Sequence, residues 1–194
     1  MTVEVTSNML YAIAGHHISN ATEHAIQLKD IHVLPMHMNI WFGVYGINKT
    51  KLRVAHFLAQ ACCETQDFVY LEENTSGKKY EPNTLAGRNV GNTQPGDGPK
   101  FIGRGLLHLT GRENYQKYGD KMQKDIVNHP KKVATDFSIA VQTACIFWSS
   151  HHLNNRADND DFNGIFYLIN GGTKNGRDAR LRALNKAKSV LGIS

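Results

Sequence analysis

The sequence is poor in cysteine and has no long apolar run. Its three cysteines, Cys62, Cys63 and Cys145, are odd in number and include an adjacent pair, unlike the framework of a small disulfide-bonded secreted protein. No stretch approaches the roughly 20 apolar residues that a membrane-spanning helix needs. Residues 1–15 lack the basic segment and apolar core of a secretory signal. We therefore expect synthesis in a reducing compartment and no stable membrane insertion.

No extreme of composition marks the chain as disordered or fibrous. Hydrophobic residues make up 41% and charged residues 20% of the 194 positions, so the chain can offset its ordering entropy by burial. This length is typical of one domain. A formal charge of +5 and a pI near 9.1 indicate a mild preference for polyanionic surfaces, such as nucleic acid, anionic lipid or bacterial wall.

Metal-binding motifs are also missing. The ten histidines include the pairs His16-His17 and His151-His152. However, the sequence contains no H-E-x-x-H, no C-x-x-C and no carboxylate-rich cation loop. We predict no metal and no cofactor.

Apolar residues recur mainly with helical spacing. The clearest helix follows Thr50 and has one apolar stripe with Lys51, Arg53 and Gln60 off it; the stripe consists of Val54, Phe57, Leu58, Ala61 and Cys62. Further helices are predicted with caps at Ser7-Asn8, over 20–32, through Tyr115 and Tyr118, from about Thr135, and from Phe162 to a stop at Asn170-Gly171-Gly172. A last helix turns Leu181, Leu184, Val190 and Leu191 inward and is surrounded by Arg177, Arg180, Arg182, Lys186 and Lys188.

Residues 72–100 form a long segment rich in turn-forming residues. Irregular segments of this length in compact domains are usually functional or disordered, and apolar anchors at Tyr80, Leu85 and Phe101 favour a functional region. Residues 101–109 predict a short strand or hairpin piece. Thr110 and Glu113 have the spacing of a capping box that would begin the next helix.

Glu64 lies on the apolar side of its helix, three residues after Ala61 and seven after Phe57. A general acid in apolar surroundings fits this position, although a frayed helix end with a solvated Glu64 would also explain it. The adjacent pair Glu72-Glu73 could supply a second carboxylate. Inverting hydrolysis of a glycosidic bond uses an acid and a base about 6.5 to 9.5 Å apart, but two adjacent glutamates are often just a solvated surface.

Five segments carry a resemblance to a known family. They are Phe57-Leu-Ala-Gln-Ala-Cys-Cys-Glu-Thr-Gln-Asp-Phe68, Leu71-Glu-Glu-Asn74, Gly91-Asn-Thr-Gln-Pro-Gly-Asp-Gly98, Phe101-Ile-Gly-Arg-Gly-Leu-Leu-His-Leu-Thr-Gly-Arg-Glu-Asn-Tyr115 and Ile169-Asn-Gly-Gly172. In this order, over roughly residues 50–191, they resemble glycoside hydrolase family 19. More narrowly, they are similar to the chitinase-like endolysins of bacteriophages.

The resemblance implies a mainly α, lysozyme-like single domain over residues 1–194. A large helical lobe and a smaller irregular lobe, about 80–119, would flank a substrate cleft. No separate wall-binding domain is expected, and the protein should be a monomer.

The resemblance also implies roles for individual residues. Glu64 corresponds to the general acid and Glu73 to the general base, with Glu72 the less favoured candidate. The Thr110 hydroxyl would help to hold the attacking water, and it could also cap its helix. Asn114 and Asn170 correspond to positions that contact sugar, although a helix C-cap explains Asn170 equally well.

The sequence departs from the family pattern at three places. Cys63 replaces a common His, Gln66-Asp67 replaces a small or glycine pair, and His108 replaces a Gln. These changes affect substrate subsites, for which Gln66 and His108 are candidate binding residues. Cys63 has no indicated base partner, so we expect this thiol and the neighbouring one to pack as small apolar groups.

The function implied is that of an endolysin, which hydrolyses β-1,4 bonds between N-acetylated hexosamines of bacterial peptidoglycan with inversion and so lyses the cell. Such a protein is made in the host cytoplasm and reaches the wall after release, for example through holin lesions. A true chitinase shares every motif, and a wall-binding module with a dead site would keep the groove. A basic DNA-binding protein would leave the Gly-Asp-Gly and Gly-Arg-Gly segments unexplained, so no nucleic-acid partner is expected.

Overall fold

The computed structural model describes residues 2–14, 18–172 and 176–193. Over these residues the chain is mainly helical, as predicted, and its β pairings are isolated bridges at Arg104. No helix in this part of the chain is both long enough and apolar enough to cross a membrane. The chain divides into two compact units, residues 1–69 with 145–194, and residues 70–144. The irregular lobe predicted at about 80–119 falls within the second unit.

The first unit is built around one buried helix. Its helices are α1 (Ser7–Ile13), α2 (Ala21–Tyr45), α3 (Lys51–Glu64), the end of α8 (Phe137–Ser150), α9 (Leu153–Asp158), α10 (Phe162–Ile169) and α11 (Arg177–Val190). Helix α3 begins where predicted, because Thr50 Oγ1 accepts a hydrogen bond from the Arg53 N–H at 3.2 Å. Phe57 lies at its centre, with ring centroids 4.7 Å from Phe42 and 5.2 Å from Trp148.

Helix α3 is buried on more sides than one apolar stripe predicts. Gln60, placed off the stripe by the sequence, is fully buried. His56 is fully buried as well, and its Nε2 lies 2.7 Å from Asp160 Oδ1. The physical reason is that α1, α9, α10 and α11 all contact α3. His56 Nε2 and Gln60 Oε1 therefore have partners inside the unit instead of in solvent.

Helix α2 is longer than predicted. Its start is confirmed, because Asn20 Oδ1 accepts from the backbone N–H groups of Thr22 at 2.9 Å and Glu23 at 3.2 Å. The predicted end at His32 is wrong, since the helix continues through Pro35. A buried apolar stripe runs past the proline and stabilises the extension; it comprises Ile31, Leu34, Met38 and Phe42.

The helices at the two ends of the chain differ from prediction in detail. The cap of α1 is Thr6, not Ser7 or Asn8, because Thr6 Oγ1 accepts from the Met9 N–H at 3.3 Å. In α11, Val190 is exposed although it was predicted to face inward. Arg180 is buried although it was predicted to lie on the basic surface.

The second unit holds the turn-rich segment in place with buried polar groups. Its helices are the short α4 (Leu85–Asn89), α5 (Asp97–Lys100) and α7 (Lys132–Thr135), the longer α6 (Arg112–Met122), and the first part of α8. Asp97 is buried and accepts from the N–H groups of Thr93 and Gln94, both at 2.9 Å. Its carboxylate also pairs with Arg112 at 2.5 and 2.8 Å. The Pro-Gly-Asp-Gly sequence therefore has a structural role.

Residues 101–109 form a hairpin-like turn instead of a strand. Arg104 and Leu109 exchange two backbone hydrogen bonds, of 3.1 and 2.8 Å. Glu72 pairs with Arg104 in a second isolated bridge. The turn leads directly to Thr110 and α6, so it determines where these residues lie in the second unit.

Candidate active site

Glu64 is the last residue of α3 and is not a solvated helix end. Its side chain is 16% exposed, and Oε1 accepts a hydrogen bond from Arg180 Nη2 at 2.5 Å. Helix α3 continues to this residue. The alternative of a frayed end is therefore wrong, and the carboxyl group has a defined position.

Arg180 is a functional candidate that the sequence reasoning missed. Its side chain, 8% exposed, also donates from Nη1 to Gln60 Oε1 at 2.8 Å and from Nη2 to Asn170 Oδ1 at 3.2 Å. The guanidinium group thus links α3, α11 and the end of α10. A signal existed, because Arg180 lies four residues before Leu184 and so falls on the buried face of α11.

The chain after Glu64 turns in an unusual conformation. Three consecutive non-glycine residues, Gln66, Asp67 and Phe68, have φ values of +48°, +62° and +64°, a region that costs an L-residue about 1–2 kcal/mol. The turn is stabilised because Phe68 is fully buried and Gln27 Nε2 donates to the Asp67 carbonyl at 2.9 Å. Gln66 is exposed at its tip.

Asn170 serves as the C-cap of α10, as the alternative interpretation had it. It also accepts the hydrogen bond from Arg180. A contact with sugar at this residue stays a prediction, as it does for Gln66. In the first unit, Arg180 therefore brings Glu64 and Asn170 together.

In the second unit, Glu73 is half-buried and accepts several hydrogen bonds. Lys79 Nζ lies 2.7 Å from Oε1, the Tyr80 hydroxyl lies 3.2 Å from both carboxylate oxygens, and the Gly103 N–H lies 3.3 Å from Oε2. Burial tends to raise the pKa of Glu73. The hydrogen bond and charge of Lys79, with the bonds from Gly103 and Tyr80, outweigh burial and hold the pKa below its ordinary value. Glu73 is therefore a carboxylate at neutral pH.

Glu72 has a different environment. Its side chain is 44% exposed, and Oε2 accepts from Arg104 Nε at 2.5 Å. Arg104 is buried and also donates to the Tyr115 hydroxyl at 3.1 Å and to the Lys100 carbonyl at 2.9 Å. Glu72 is therefore tied to a structural arginine.

Thr110 does not cap α6, so the predicted capping box is wrong. The helix begins at Arg112 with Gly111 as its N-cap, and the Thr110 hydroxyl donates to the His108 carbonyl at 2.8 Å. Gly111 has φ +90°, and a Cβ there would lie 1.9 Å from the Val90 carbonyl oxygen. This close approach shifts the cap to Gly111 and removes the helix-capping explanation for Thr110.

A glycine brings Glu73 and Thr110 to the same small space. A Cβ built on Gly103 would lie 3.2 Å from both Glu73 Oε2 and Thr110 Oγ1, and 3.0 Å from His108 Cβ. Asn114 joins this group through a hydrogen bond from Nδ2 to the Thr110 carbonyl at 2.9 Å. The absence of a side chain at Gly103 therefore lets a carboxylate and a hydroxyl approach the same point of the backbone.

Metal binding and a reactive thiol are the other possibilities for the histidines and Cys63. In the described ranges, no group of three or more His, Cys, Asp or Glu side chains could hold a metal ion, and the pair at 16 and 17 lies outside these ranges. His151 Nδ1 lies 2.9 Å from the Phe147 carbonyl. Burial raises the pKa of the half-buried Cys63 thiol, which disfavours a nucleophilic thiolate.

We expect Arg180→Met to lower the free energy of unfolding by about 3 kcal/mol, because Glu64 and Gln60 then lose a buried charged donor. Denaturant unfolding measures this change. Arg182→Met, on the exposed side of α11, is the matched control and should change stability by less than about 0.5 kcal/mol. A loss below about 1 kcal/mol for Arg180→Met would show that the buried network contributes little to stability.

Comparisons with known proteins point to one family. The model of glycoside hydrolase family 19, described as "Chitinase class I", matches residues 35–166. A glycosyl hydrolase family 19 domain-containing protein of Haemophilus influenzae is 31% identical over 159 residues, which cover 68% of this chain and 76% of that protein. The acidic 27 kDa endochitinase of Solanum lycopersicum is 34% identical over 128 residues, 63% of this chain and 47% of the plant protein. The chain thus spans less than half of the plant relative.

Solved structures agree on the fold. Chitinase C from Streptomyces griseus matches with a TM-score of 0.68 at 19% identity, covering 100% of this chain and 93% of that one. A bacterial family 19 chitinase matches with a TM-score of 0.70 at 19% identity, covering 99% and 97% of the two chains. These likenesses confirm the predicted mainly α, lysozyme-like fold.

Proposed function

The chain belongs to glycoside hydrolase family 19, and from this membership we propose that it hydrolyses β-1,4 bonds between N-acetylated hexosamines with inversion. The observation that carries the proposal is the carboxylate of Glu73 beside the Thr110 hydroxyl around Gly103. An ionised carboxylate next to a second acceptor can hold and deprotonate a water molecule.

Glu73 is the general base. Its low pKa keeps it ionised at neutral pH, and Thr110 helps to orient the water. Because the Thr110 hydrogen is donated to His108, the hydroxyl oxygen accepts a hydrogen bond from that water. The water oxygen attacks the anomeric carbon, and its proton passes to Glu73.

Glu64 is the general acid. It gives its proton to the glycosidic oxygen as the bond to the anomeric carbon breaks, so the departing sugar leaves as an alcohol. Arg180 is a positioning residue that fixes the orientation of the Glu64 carboxyl group. Asn114, Asn170, His108 and Gln66 are the proposed sugar contacts.

The proposed substrate is bacterial peptidoglycan, and the proposed biological role is lysis by a phage endolysin. One observation supports this choice: the net charge of +5 favours an anionic wall. In this role the chain is made in the host cytoplasm, reaches the wall through holin lesions and acts as a monomer. The second candidate is chitin, because plant relatives are named endochitinases.

Digestion of purified peptidoglycan and of a chitin hexamer tests the substrate. Mass spectrometry of the borohydride-reduced soluble products identifies the sugar at each new reducing end. We expect soluble fragments from peptidoglycan. Cleavage of the hexamer alone would identify a true chitinase. Sedimentation with the wall without soluble product would identify a binding module, and salt-sensitive DNA binding without product from either glycan would identify a DNA-binding protein.

A further inference from the structure

Lys79 lies beside the proposed base in a short 3₁₀ turn, Lys78–Tyr80. Its ammonium group is 2.7 Å from Glu73 Oε1 and 4.7 Å from the centre of the Tyr80 ring. The side chain is 56% exposed, and an ammonium group carries three N–H donors. Lys79 can therefore hydrogen-bond to Glu73 and to a second anionic group from solvent.

The base does not depend on Lys79 for its hydrogen bonds. Tyr80 and Gly103 already donate to the Glu73 carboxylate. The positive charge of Lys79 lowers the pKa of Glu73, and a weaker base takes a proton from water less readily. A lysine at this place is a disadvantage for hydrolysis of a neutral glycan unless it has another role.

We propose that Lys79 is a specificity residue that binds a carboxylate carried by the sugar at the scissile bond, so that acidic glycans are hydrolysed faster than neutral ones. This inference rests on the proposed function and deepens it. Chitin is uncharged, whereas a muramic acid unit of a peptidoglycan strand that has lost its stem peptide ends in a free lactyl carboxylate. When that carboxylate also pairs with Lys79, the positive charge of Lys79 stabilises the Glu73 carboxylate less. The pKa of Glu73 then rises, and Glu73 becomes a stronger base at the bond to be cleaved.

Two substrates that differ mainly in the charge of the lactyl group test the proposed role of Lys79. An amidase that hydrolyses the bond between the lactyl group and the peptide yields strands with a free lactyl carboxylate, and methyl esterification neutralises it with little change of shape. We expect the wild-type protein to cleave the acid form about fivefold faster than the ester in kcat/KM, as one partly exposed ion pair allows. Lys79→Met should bring this ratio close to one, and Lys79→Arg should retain most of it.

Lys78→Met is the control. Lys78 is the exposed neighbour in the same turn, and its backbone N–H lies 3.5 Å from Ser76 Oγ, so this variant removes the same charge without touching Glu73. Its acid-to-ester ratio should equal that of the wild type. The pH profile gives a second readout: without Lys79 the pKa of Glu73 rises, so the decline of kcat/KM on the acid side moves to higher pH.

The possible results distinguish an error in the inference about Lys79 from an error in the proposed function. If Lys79→Met lowers both rates equally and leaves the ratio unchanged, the ion pair is only structural and the inference is wrong, while the proposed function stands. If the wild-type protein cleaves the acid form and the ester with the same kcat/KM, the inference is also wrong. This test needs no variant, so it applies even if Lys79→Met fails to fold. No product from either strand would overturn both the inference and peptidoglycan as the substrate, and cleavage of a chitin hexamer would then identify a chitinase.

Discussion

Glu64→Gln is expected to reduce kcat/KM for chitin oligomers and peptidoglycan by a factor of about 10³, within the range for loss of a general acid. Glutamine has nearly the same shape and keeps an oxygen that accepts from Arg180, so the buried network around residue 64 should persist. The glutamine amide has no proton acidic enough to be transferred to the glycosidic oxygen. The rate of appearance of reducing ends measures the effect, and thermal unfolding verifies that the variant is folded.

Glu4→Gln is the control for this variant, because Glu4 is an exposed glutamate of the same unit. It should retain wild-type rates. If folded Glu64→Gln clears wall suspensions as fast as the wild type, Glu64 is not the acid. Equal loss in both variants would point to a general effect of charge.

Glu73→Gln should reduce kcat/KM by a factor of about 10² to 10⁴, the usual range for a general base. The amide can still accept from Tyr80 and Gly103, but it cannot take a proton from water. Glu72→Gln removes the adjacent carboxylate and retains an acceptor for Arg104. It should keep activity within about threefold and lower stability by no more than about 1 kcal/mol. Initial rates for both variants, measured on the same substrate, give the comparison.

The opposite result, in which Glu72→Gln is inactive and Glu73→Gln is active, would exchange the roles of the two glutamates. The sequence favoured Glu73 only through the resemblance to a family. The structure supplies a physical distinction, because Glu73 lies beside Thr110 around Gly103 whereas Glu72 pairs with a buried arginine.

Local patterns predicted several elements correctly. Thr50 starts α3, Asn20 starts α2, and α10 ends before the predicted stop at Asn170. The position of Glu64 on the apolar side of α3 left open a carboxyl group in apolar surroundings or a solvated helix end, and the side chain is 16% exposed. Each of these depends on residues within one or two helical turns, which is the range over which periodicity and capping act.

The errors arise from contacts between residues distant in sequence. Thr110 has the spacing of a cap, but the close approach of Gly111 to Val90 decides where α6 begins. Arg180 looks like one more basic surface residue until Glu64 and Gln60 supply its buried partners, more than 110 positions away. The spacing of Arg180 from Leu184 could have indicated a buried arginine, but local propensity does not identify partners so distant in sequence.

The configuration of the first-formed reducing end tests the central claim most directly. Proton NMR of a digest of peptide-free peptidoglycan strands or of a chitin hexamer, recorded before the anomers equilibrate, distinguishes the α from the β product. Because Glu73 is proposed to activate water while Glu64 protonates the leaving oxygen, the β-linked substrate should yield the α anomer first. If the β anomer accumulates first, the reaction proceeds with retention, and the assignment of a base-activated water is wrong.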